Sequence, residues 1–394
     1  MTETKNYTAK TQAGLEHILA EELKTVGAEN IVPGVRSVTF SGDKKVMYKA
    51  NLWCRTAIRI LVPVKTFPCE NENMLYAGVG SLPWSKFMTV DGTLAVDGVT
   101  IDSNIDHSYY AALKTKDAIV DQFRNKVGKR PDVDVANPDL RVNVHISKDV
   151  CTISLDSSGE SLHKRGYRKH QGIAPLNEVL AAGLIMLSGW KGDTPFIDPM
   201  CGSGTLPVEA ALIAANIAPG QFRFGFGFQT WKDYDEELWQ SIKNEAEELE
   251  KDTVTHKIIA SDISDRAIKM TSDNAKSAGV AKFINFQTTS FKDLDPPTEP
   301  GVVIINPPYG ERIKVEELGE LYSEIGDTLK KKYPGYNGWI LTSNRDAAKN
   351  IGLKPSKKIV VYNGALECRF LKFELFKGKH KEHVMEEKGK IEKN

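Results

Sequence analysis

The chain has 394 residues, 41% of them hydrophobic, which allows a large core and two or three domains. Its 52 Lys+Arg balance 52 Asp+Glu, so global charge gives no support for a nucleic-acid partner and any basic surface must be local. The absence of a long apolar run or an apolar leader predicts no membrane span. Five scattered cysteines without a CxxC pair, and histidines without HExxH spacing, predict a reducing cytoplasm, no disulfide framework and no metal.

In the first half, residues 14–23 have the apolar spacing of a helix that ends at Gly27. Residues 38–42 read as a strand and turn, and 52–64 mix apolar residues with Arg55 and Arg59. The stretch 109–127 predicts a helix with Leu113, Ile119, Val120 and Phe123 inward. Residues 140–147 alternate cleanly and 150–155 alternate again; Lys148-Asp149 between them predicts a hairpin. Mixed helix and strand signals indicate an α+β module. A basic connector follows, His163-Lys164-Arg165-Gly166-Tyr167-Arg168-Lys169-His170. It reads either as a solvated linker or as a phosphate-contacting patch with an aromatic in it. Residues 177–187 then predict a buried helix.

The second half alternates strand and helix, which predicts an α/β domain with a mostly parallel, doubly wound sheet. Residues 194–200 form its first strand and run into Cys201-Gly202-Ser203-Gly204-Thr205, ahead of an apolar helix over 206–217. Glycines there let the backbone turn tightly and approach a ligand, and the helix N-terminus offers free N–H groups. No Gly-Lys-[Ser/Thr] follows, so this is not a P-loop, and Val208 stands where the dinucleotide fingerprint has its third glycine. The second strand, 257–262, ends in Asp262, a carboxylate placed to accept from two ribose hydroxyls. Between them lies an insertion with Phe222, Phe224, Phe226 and Phe228 alternating with glycine or arginine, read as a packed loop or as a wall of the substrate cleft. A charged helix over 236–250 follows it. Further strands fall at 283–289, 302–306 and 338–343; 358–362, Asn363-Gly364 and 365–376 predict a terminal antiparallel hairpin. The tail from 378 is charged and predicts no packed structure.

The most informative stretch is Asn306-Pro307-Pro308-Tyr309, at the end of the apolar run Val302-Val303-Ile304-Ile305. A strand that stops on two prolines cannot continue its ladder. The loop therefore presents an amide, carbonyls and a ring. The Asn306 side-chain oxygen and the Pro307 carbonyl can accept from the two hydrogens of a planar amine, while Tyr309 stacks on its face.

Asp198-Pro199-Met200-Cys201-Gly202-Ser203-Gly204-Thr205, followed by Asn306-Pro307-Pro308-Tyr309-Gly310-Glu311-Arg312, resembles the THUMP-containing class I RNA methyltransferases. The similarity is greatest to the RlmL type, the large-subunit (23S) ribosomal RNA guanine-N2 methyltransferases. The connector 162–168, the stretch 174–182 and the Ala218-Pro219-Gly220 insertion carry that finer likeness. The resemblance implies a class I methyltransferase sheet with an antiparallel C-terminal hairpin, preceded by an α+β ferredoxin-like/THUMP module. The implied boundaries are a lead-in at 1–48, a THUMP RNA-binding domain at 49–157, a connector and linker helix at 158–188, the catalytic domain at 189–378 and a charged tail at 379–394.

It also implies S-adenosylmethionine (SAM) as methyl donor. Asp198, Gly202, Ser203, Gly204 and Thr205 would hold its amino-acid part and Asp262 its ribose, with Met200 and Ile263 also in the cofactor-binding set. The family often has an acid for the adenine amine where Ser290 stands, leaving the Ser290 hydroxyl or the Phe291 backbone for that contact; a second acid after the ribose-binding one is here Ser264. Asn306, Pro307, Pro308 and Tyr309 would hold the base, and Lys164, Arg165, Tyr167, Arg168 and Lys169 would meet RNA. The implied partner is 23S ribosomal RNA or its precursor particle. The competing readings are a tRNA guanine-N2 methyltransferase and a non-catalytic RNA-binding assembly factor; similar loops also occur in adenine-N6 DNA and glutamine methyltransferases.

Overall fold

The computed structural model describes residues 4–170, 176–308 and 315–376. The chain forms two compact units: unit 1 takes residues 1–12, 19–166 and 219–248, and unit 2 takes 13–18, 167–218 and 249–394. The predicted tail falls outside the described residues.

Unit 1 runs through β1 (Lys5–Lys10), α1 (Glu16–Thr25, from Leu19 in this unit), β2 (Glu29–Gly34), β3 (Ser37–Gly42) and α2 (Lys44–Trp53). Gly27, at φ +88°, follows α1 as the sequence predicts. The Asp43 carboxylate caps α2 by accepting from the Val46 N–H at 3.0 Å. There follow β4 (Arg59–Pro68), α3 (Glu72–Gly80), β5 (Thr93–Ile101), α4 (Ser108–Val127), β6 (Asp132–Val133), β7 (Leu140–Ser147) and β8 (Val150–Asp156). Of the residues predicted inward on α4, Ile119, Val120 and Phe123 are buried while Leu113 is half-buried; Ala111, Ala112, Thr115 and Ala118 complete the stripe. The β7–β8 hairpin turns on Lys148 (φ +50°) and Asp149 (φ +56°), the paired positive angles of a type I′ turn.

These strands make one eight-stranded sheet in the order β2-β3-β1-β4-β8-β7-β5-β6. β4 pairs antiparallel with β1 on one side and β8 on the other, so the lead-in and the module after it share a sheet.

Unit 2 contains α5 (Glu178–Leu187), β9 (Phe196–Asp198) and α6 (Thr205–Ala214). After α7 (Glu236–Glu248), which belongs to unit 1, come β10 (Ile258–Asp262), α8 (Asp265–Ser277), β11 (Ile284–Thr288), β12 (Val302–Ile305), α9 (Val315–Lys332), β13 (Asn337–Thr342), β14 (Lys357–Asn363) and β15 (Leu366–Glu374). The sheet order is β11-β10-β9-β12-β13-β15-β14. The first five strands are parallel, and β15 joins β13 antiparallel to close with the predicted hairpin. Its two-residue loop is Gly364-Ala365, one residue later than predicted. Asn363 pairs with Leu366, and Gly364 at φ +66° supplies the positive angle that opens such a turn. On one sheet face, Leu318, Tyr322, Ile325 and Leu329 of α9 recur at helical spacing and pack with Ile197, Val303, Ile305 and Ile340. Outside that cluster, α6 lies along β9 and β10, and α8 along β10 and β11.

The strand order fixes where a ligand can sit. From β9 the chain builds outward through β10 and β11 on one side, then through β12 and β13 on the other. The crevice beyond the C-terminal ends of β9 and β12 is thus a topological switch point, where open α/β sheets bind ligands.

The insertion is packed within unit 1. Phe228 stacks on Tyr48 with ring centroids 4.1 Å apart and on Phe226 at 5.4 Å, and Trp239 meets Phe228 edge-on. The Arg223 guanidinium donates to the carbonyls of Ser158, Glu160, Ser161 and Lys164 at 2.7–3.3 Å. The packed-loop reading thus holds for Phe226 and Phe228, whereas Phe224 is fully exposed.

Candidate active site

Three loops meet the C-terminal edge of the unit 2 sheet on adjacent parallel strands. β9 pairs with β10 through Asp198↔Ala260 and with β12 through Ile197↔Val303. Asp198 and Asp262, at the ends of their strands, and Asn306, just past β12, therefore occupy neighbouring positions on one edge.

After β9 the backbone turns twice. The Cys201 N–H donates to the Ser261 carbonyl at 2.9 Å and the Gly204 N–H to the Cys201 carbonyl at 2.8 Å. Gly202 (φ +55°) and Gly204 (φ +84°) both need the left-handed region, but for different reasons of space. A Cβ on Gly204 would stand 2.5 Å from Thr271 Cγ2, whereas one on Gly202 would meet no protein atom within 4 Å. The open side of the loop is therefore at Gly202. α6 begins at Thr205 with Gly204 as N-cap and no side-chain cap, so its first N–H groups are left to a ligand.

Two buried side chains on α8, missed by the sequence reading, hold this turn from behind. Thr271 Oγ1 donates to the Gly202 carbonyl at 3.0 Å. Asn274 Nδ2 donates to the carbonyls of Ser203 (2.9 Å) and His170 (3.0 Å), and its Oδ1 accepts from the N–H groups of Lys169 and His170. The signal was available: Thr271 and Asn274 share a buried helical stripe with Ala267 and Ala275, and buried polar positions need partners.

Asp262 Oδ2 accepts from the Gly202 N–H and Oδ1 from the Ser264 N–H, each at 3.0 Å. Each oxygen keeps a second acceptor site, which suits a vicinal diol. Ser264 has its own task as N-cap of α8, accepting from the Ala267 N–H. Ile263 projects into solvent at 77% exposure and offers an apolar surface beside Asp262. Ser290 Oγ donates to Asp293 Oδ2 at 2.6 Å. The Phe291 ring is buried against Tyr333, so only its backbone is open to a ligand. Asp198 is buried, and loss of solvent pushes its carboxyl up to about 8; the Met200 N–H opposes this and the Asp262 charge adds to it. Such a group favours a cationic partner.

Past β12, Asn306 Oδ1 is buried and has no hydrogen-bond partner among the described residues. Pro307 is buried and Pro308 exposed; Tyr309 lies outside the described residues. A buried, unpaired amide oxygen costs about 1–3 kcal/mol, so it marks the place of a missing donor.

The connector divides against its predicted role. Lys164 and Lys169 are exposed, Lys164 pairing with Glu160. Arg165, Tyr167 and Arg168 are corrections to the RNA-contact set, because their side chains turn into the protein rather than out to a phosphate. Arg165 is 2% exposed and donates to the carbonyls of Leu162 and Arg55. The Tyr167 hydroxyl donates to buried Glu209 at 3.0 Å. Arg168 pairs with Glu178 at 2.7 Å and also donates to the Leu176 carbonyl and to Thr205 Oγ1. The connector passes close to the insertion at Gly166, where a Cβ would lie 2.1 Å from the Phe222 carbonyl oxygen.

A strand-end carboxylate with spare acceptor sites, a buried acid, an open glycine position and a helix N-terminus fit SAM, on the sheet of a class I methyltransferase. The RMKL-like methyltransferase domain model matches residues 165–372, the THUMP domain model 69–156 and the RlmL ferredoxin-like domain model 6–61. The chain belongs to this family of THUMP-bearing, RMKL-like methyltransferases.

It is 41% identical to a candidate RNA methyltransferase of Synechocystis over 95% of this chain and 97% of that one. It is 42% identical to the ribosomal RNA large subunit methyltransferase K/L of Methylococcus capsulatus over 95% of this chain and 52% of that protein. The chain thus spans about half the length of its K/L relatives. Among solved structures, the candidate methyltransferase SMU.472, complexed with S-adenosylhomocysteine (SAH), superposes with a TM-score of 0.86 at 32% identity, covering 96% of this chain and all of that one. A Listeria monocytogenes protein described as a predicted N6-adenine-specific DNA methylase gives 0.85 at 34% identity, with 95% and 97% covered.

Proposed function

We propose that this chain transfers a methyl group from SAM to the N2 amine of a guanine in large-subunit ribosomal RNA. The observation that carries the reading is the buried, unpartnered Asn306 Oδ1 at the switch point, one strand from the Asp198–Thr205 turn. An acceptor there needs an N–H donor, and an exocyclic base amine supplies two, the second for the Pro307 carbonyl.

SAM, when bound, supplies an electrophilic methyl group on a sulfonium. Asp262 holds the ribose hydroxyls and the Gly202 turn gives the amino-acid part room. Asn306 and Pro307 draw on the two amine hydrogens, which favours a pyramidal nitrogen whose lone pair is released from the ring. Alignment and proximity supply most of the acceleration, with effective molarities of order 10⁵ M or more. No strong base is required, because the methylated amine cation is acidic and gives its proton to water. Taking the base out of a duplex costs a few kcal/mol. Stacking on Tyr309, the role the resemblance gives it, offsets about 1–3 kcal/mol of that. In this reading the exposed Lys164 and Lys169 would each offer a cation to RNA phosphate.

The THUMP match and the names of the K/L relatives support ribosomal RNA over DNA. The Listeria protein's description keeps adenine N6 as the second reading of the base. The test is transfer of tritiated methyl from SAM to immature large-subunit RNA and to total tRNA, followed by nucleoside analysis. N2-methylguanosine in the ribosomal fraction is expected. N6-methyladenosine, or label in tRNA alone, overturns the reading; RNA binding without transfer to any RNA would make the chain an assembly factor.

A further inference from the structure

Arg168 has hydrogen-bonding capacity that the fold does not use. Its side chain is 9% exposed. Nε donates to Glu178, and Nη2 donates to the Leu176 carbonyl (2.9 Å) and to Thr205 Oγ1 (3.0 Å). The remaining terminal nitrogen, Nη1, is buried and has no partner among the described residues. A guanidinium can only donate, so what is missing is an acceptor. Its place is set by Thr205, the first residue of α6, where the uncapped helix N-terminus also favours negative charge. Because Thr205 Oγ1 accepts from Arg168, its own hydroxyl hydrogen is free to donate to the same ligand atom.

We propose that Arg168 Nη1, with the Thr205 hydroxyl and the α6 N-terminus, binds the carboxylate of the amino-acid part of SAM. The assignment rests on the cofactor reading and adds polarity to it. An ammonium cannot sit among these donors, so it turns to the carboxyl of Asp198, which burial leaves wanting a cation. The amino acid is then strung between an all-donor end at Thr205 and an acceptor end at Asp198, and only one orientation satisfies both. Glu178, itself buried, holds the guanidinium plane through Nε and keeps the site from carrying a bare positive charge when no ligand is bound.

The test is calorimetry on the full-length protein with two ligands that differ only at this group, SAM and decarboxylated SAM. Wild type should bind SAM about 10–100-fold more tightly, the range of one charge-assisted hydrogen bond to a buried cation. In Arg168→Gln, SAM affinity should fall by that factor, while decarboxylated SAM changes less than about threefold. Arg168→Lys keeps a charge for Glu178 but loses the fork; it should give an intermediate ratio, and it serves as the readout if the Gln variant does not fold. A parallel fall for both ligands in either variant would mean that Arg168 only braces the fold, and no fall for either would leave it no part in binding; both overturn the proposal. A wild type that binds SAM but does not distinguish the two ligands overturns it with the cofactor site intact. A wild type that binds neither removes the cofactor reading as well.

Discussion

The glycine turn and the Asn306 loop lie on adjacent strands of one sheet edge, yet they are built in opposite ways. The turn is held by partners: Asp262 takes the Gly202 N–H, Thr271 the Gly202 carbonyl, and Asn274 the Ser203 carbonyl. Past β12, the polar group that matters most has none. Satisfied polar networks fix geometry, and an unsatisfied buried group stores a cost that the right ligand relieves. The difference supports the proposed roles, in which the turn would be a preformed seat for the cofactor and the Asn306 loop a clamp completed by the substrate base.

The sharpest way to break that contrast is Asn306→Ala. If Oδ1 acts only on the base amine, kcat should fall about 10²–10³-fold or more, the scale of losing one transition-state-oriented hydrogen bond. SAH affinity by calorimetry should stay within about twofold. A parallel loss of SAH binding would place Asn306 with the turn and erase the distinction. Next in size is Asn274→Ala. It strands the buried Ser203 carbonyl and takes the partner from the partly buried His170 carbonyl and the Lys169 and His170 N–H groups, at about 1–3 kcal/mol of stability for the network. Denaturant unfolding should show that loss, with weaker SAH binding beside it. An unchanged midpoint would mean that the turn is rigid without its backing.

What the sequence reveals follows the same division. The places of Asp262 and Asn306 were readable because each stands at the end of a short buried strand, Asp262 as the last residue of β10 and Asn306 just past β12, on the C-terminal edge of the sheet. The two glycines were readable because a left-handed turn between strand and helix demands them. Asn274 was legible only as a polar residue on the buried stripe of α8; its partners, the connector and the Ser203 carbonyl, are distant in sequence and no local pattern names them. The connector misled for a related reason. A run of cations suggests a phosphate surface, but Arg165 is buried and donates to the carbonyls of Leu162 and of Arg55, the latter far away in sequence. The insertion joined unit 1 through the stacking of Phe228 on Tyr48, again a contact no local pattern announces.

Asp198 allows the contrast to be read through pH. Its folded carboxyl, raised to about 8 by burial, holds a proton that the unfolded chain has already released. Stability of the ligand-free protein should therefore decline as pH rises from about 4 towards 8 and level off above. An ammonium bound beside Asp198 prefers the ionised form, so binding below pH 8 expels a proton. SAH affinity should climb by up to tenfold per pH unit as pH approaches 8, then fall as an α-amino group with a pKa of about 8 loses its own proton. Titrations in two buffers of different ionisation enthalpy will count the protons. In Asp198→Asn the climb should vanish; its persistence would assign the proton to another group.

The smallest expected effects come from the two glycines, and they resolve the two sides of the turn. Ala at either position must hold a positive φ, at about 1 kcal/mol or somewhat more. Gly204→Ala adds a methyl that meets Thr271 at 2.5 Å, so backbone or helix must shift and stability should drop by about 2 kcal/mol or more. Gly202→Ala places its methyl where no protein atom stands within 4 Å, so its stability cost should stop near the torsional term. The methyl then occupies space that the cofactor needs. Gly202→Ala should therefore be the more stable variant and the poorer SAH binder, a crossed order that thermal melts with and without SAH can measure. If both variants lost stability and affinity in the same proportion, Gly202 would have no ligand-facing side, and the turn would be a structural corner.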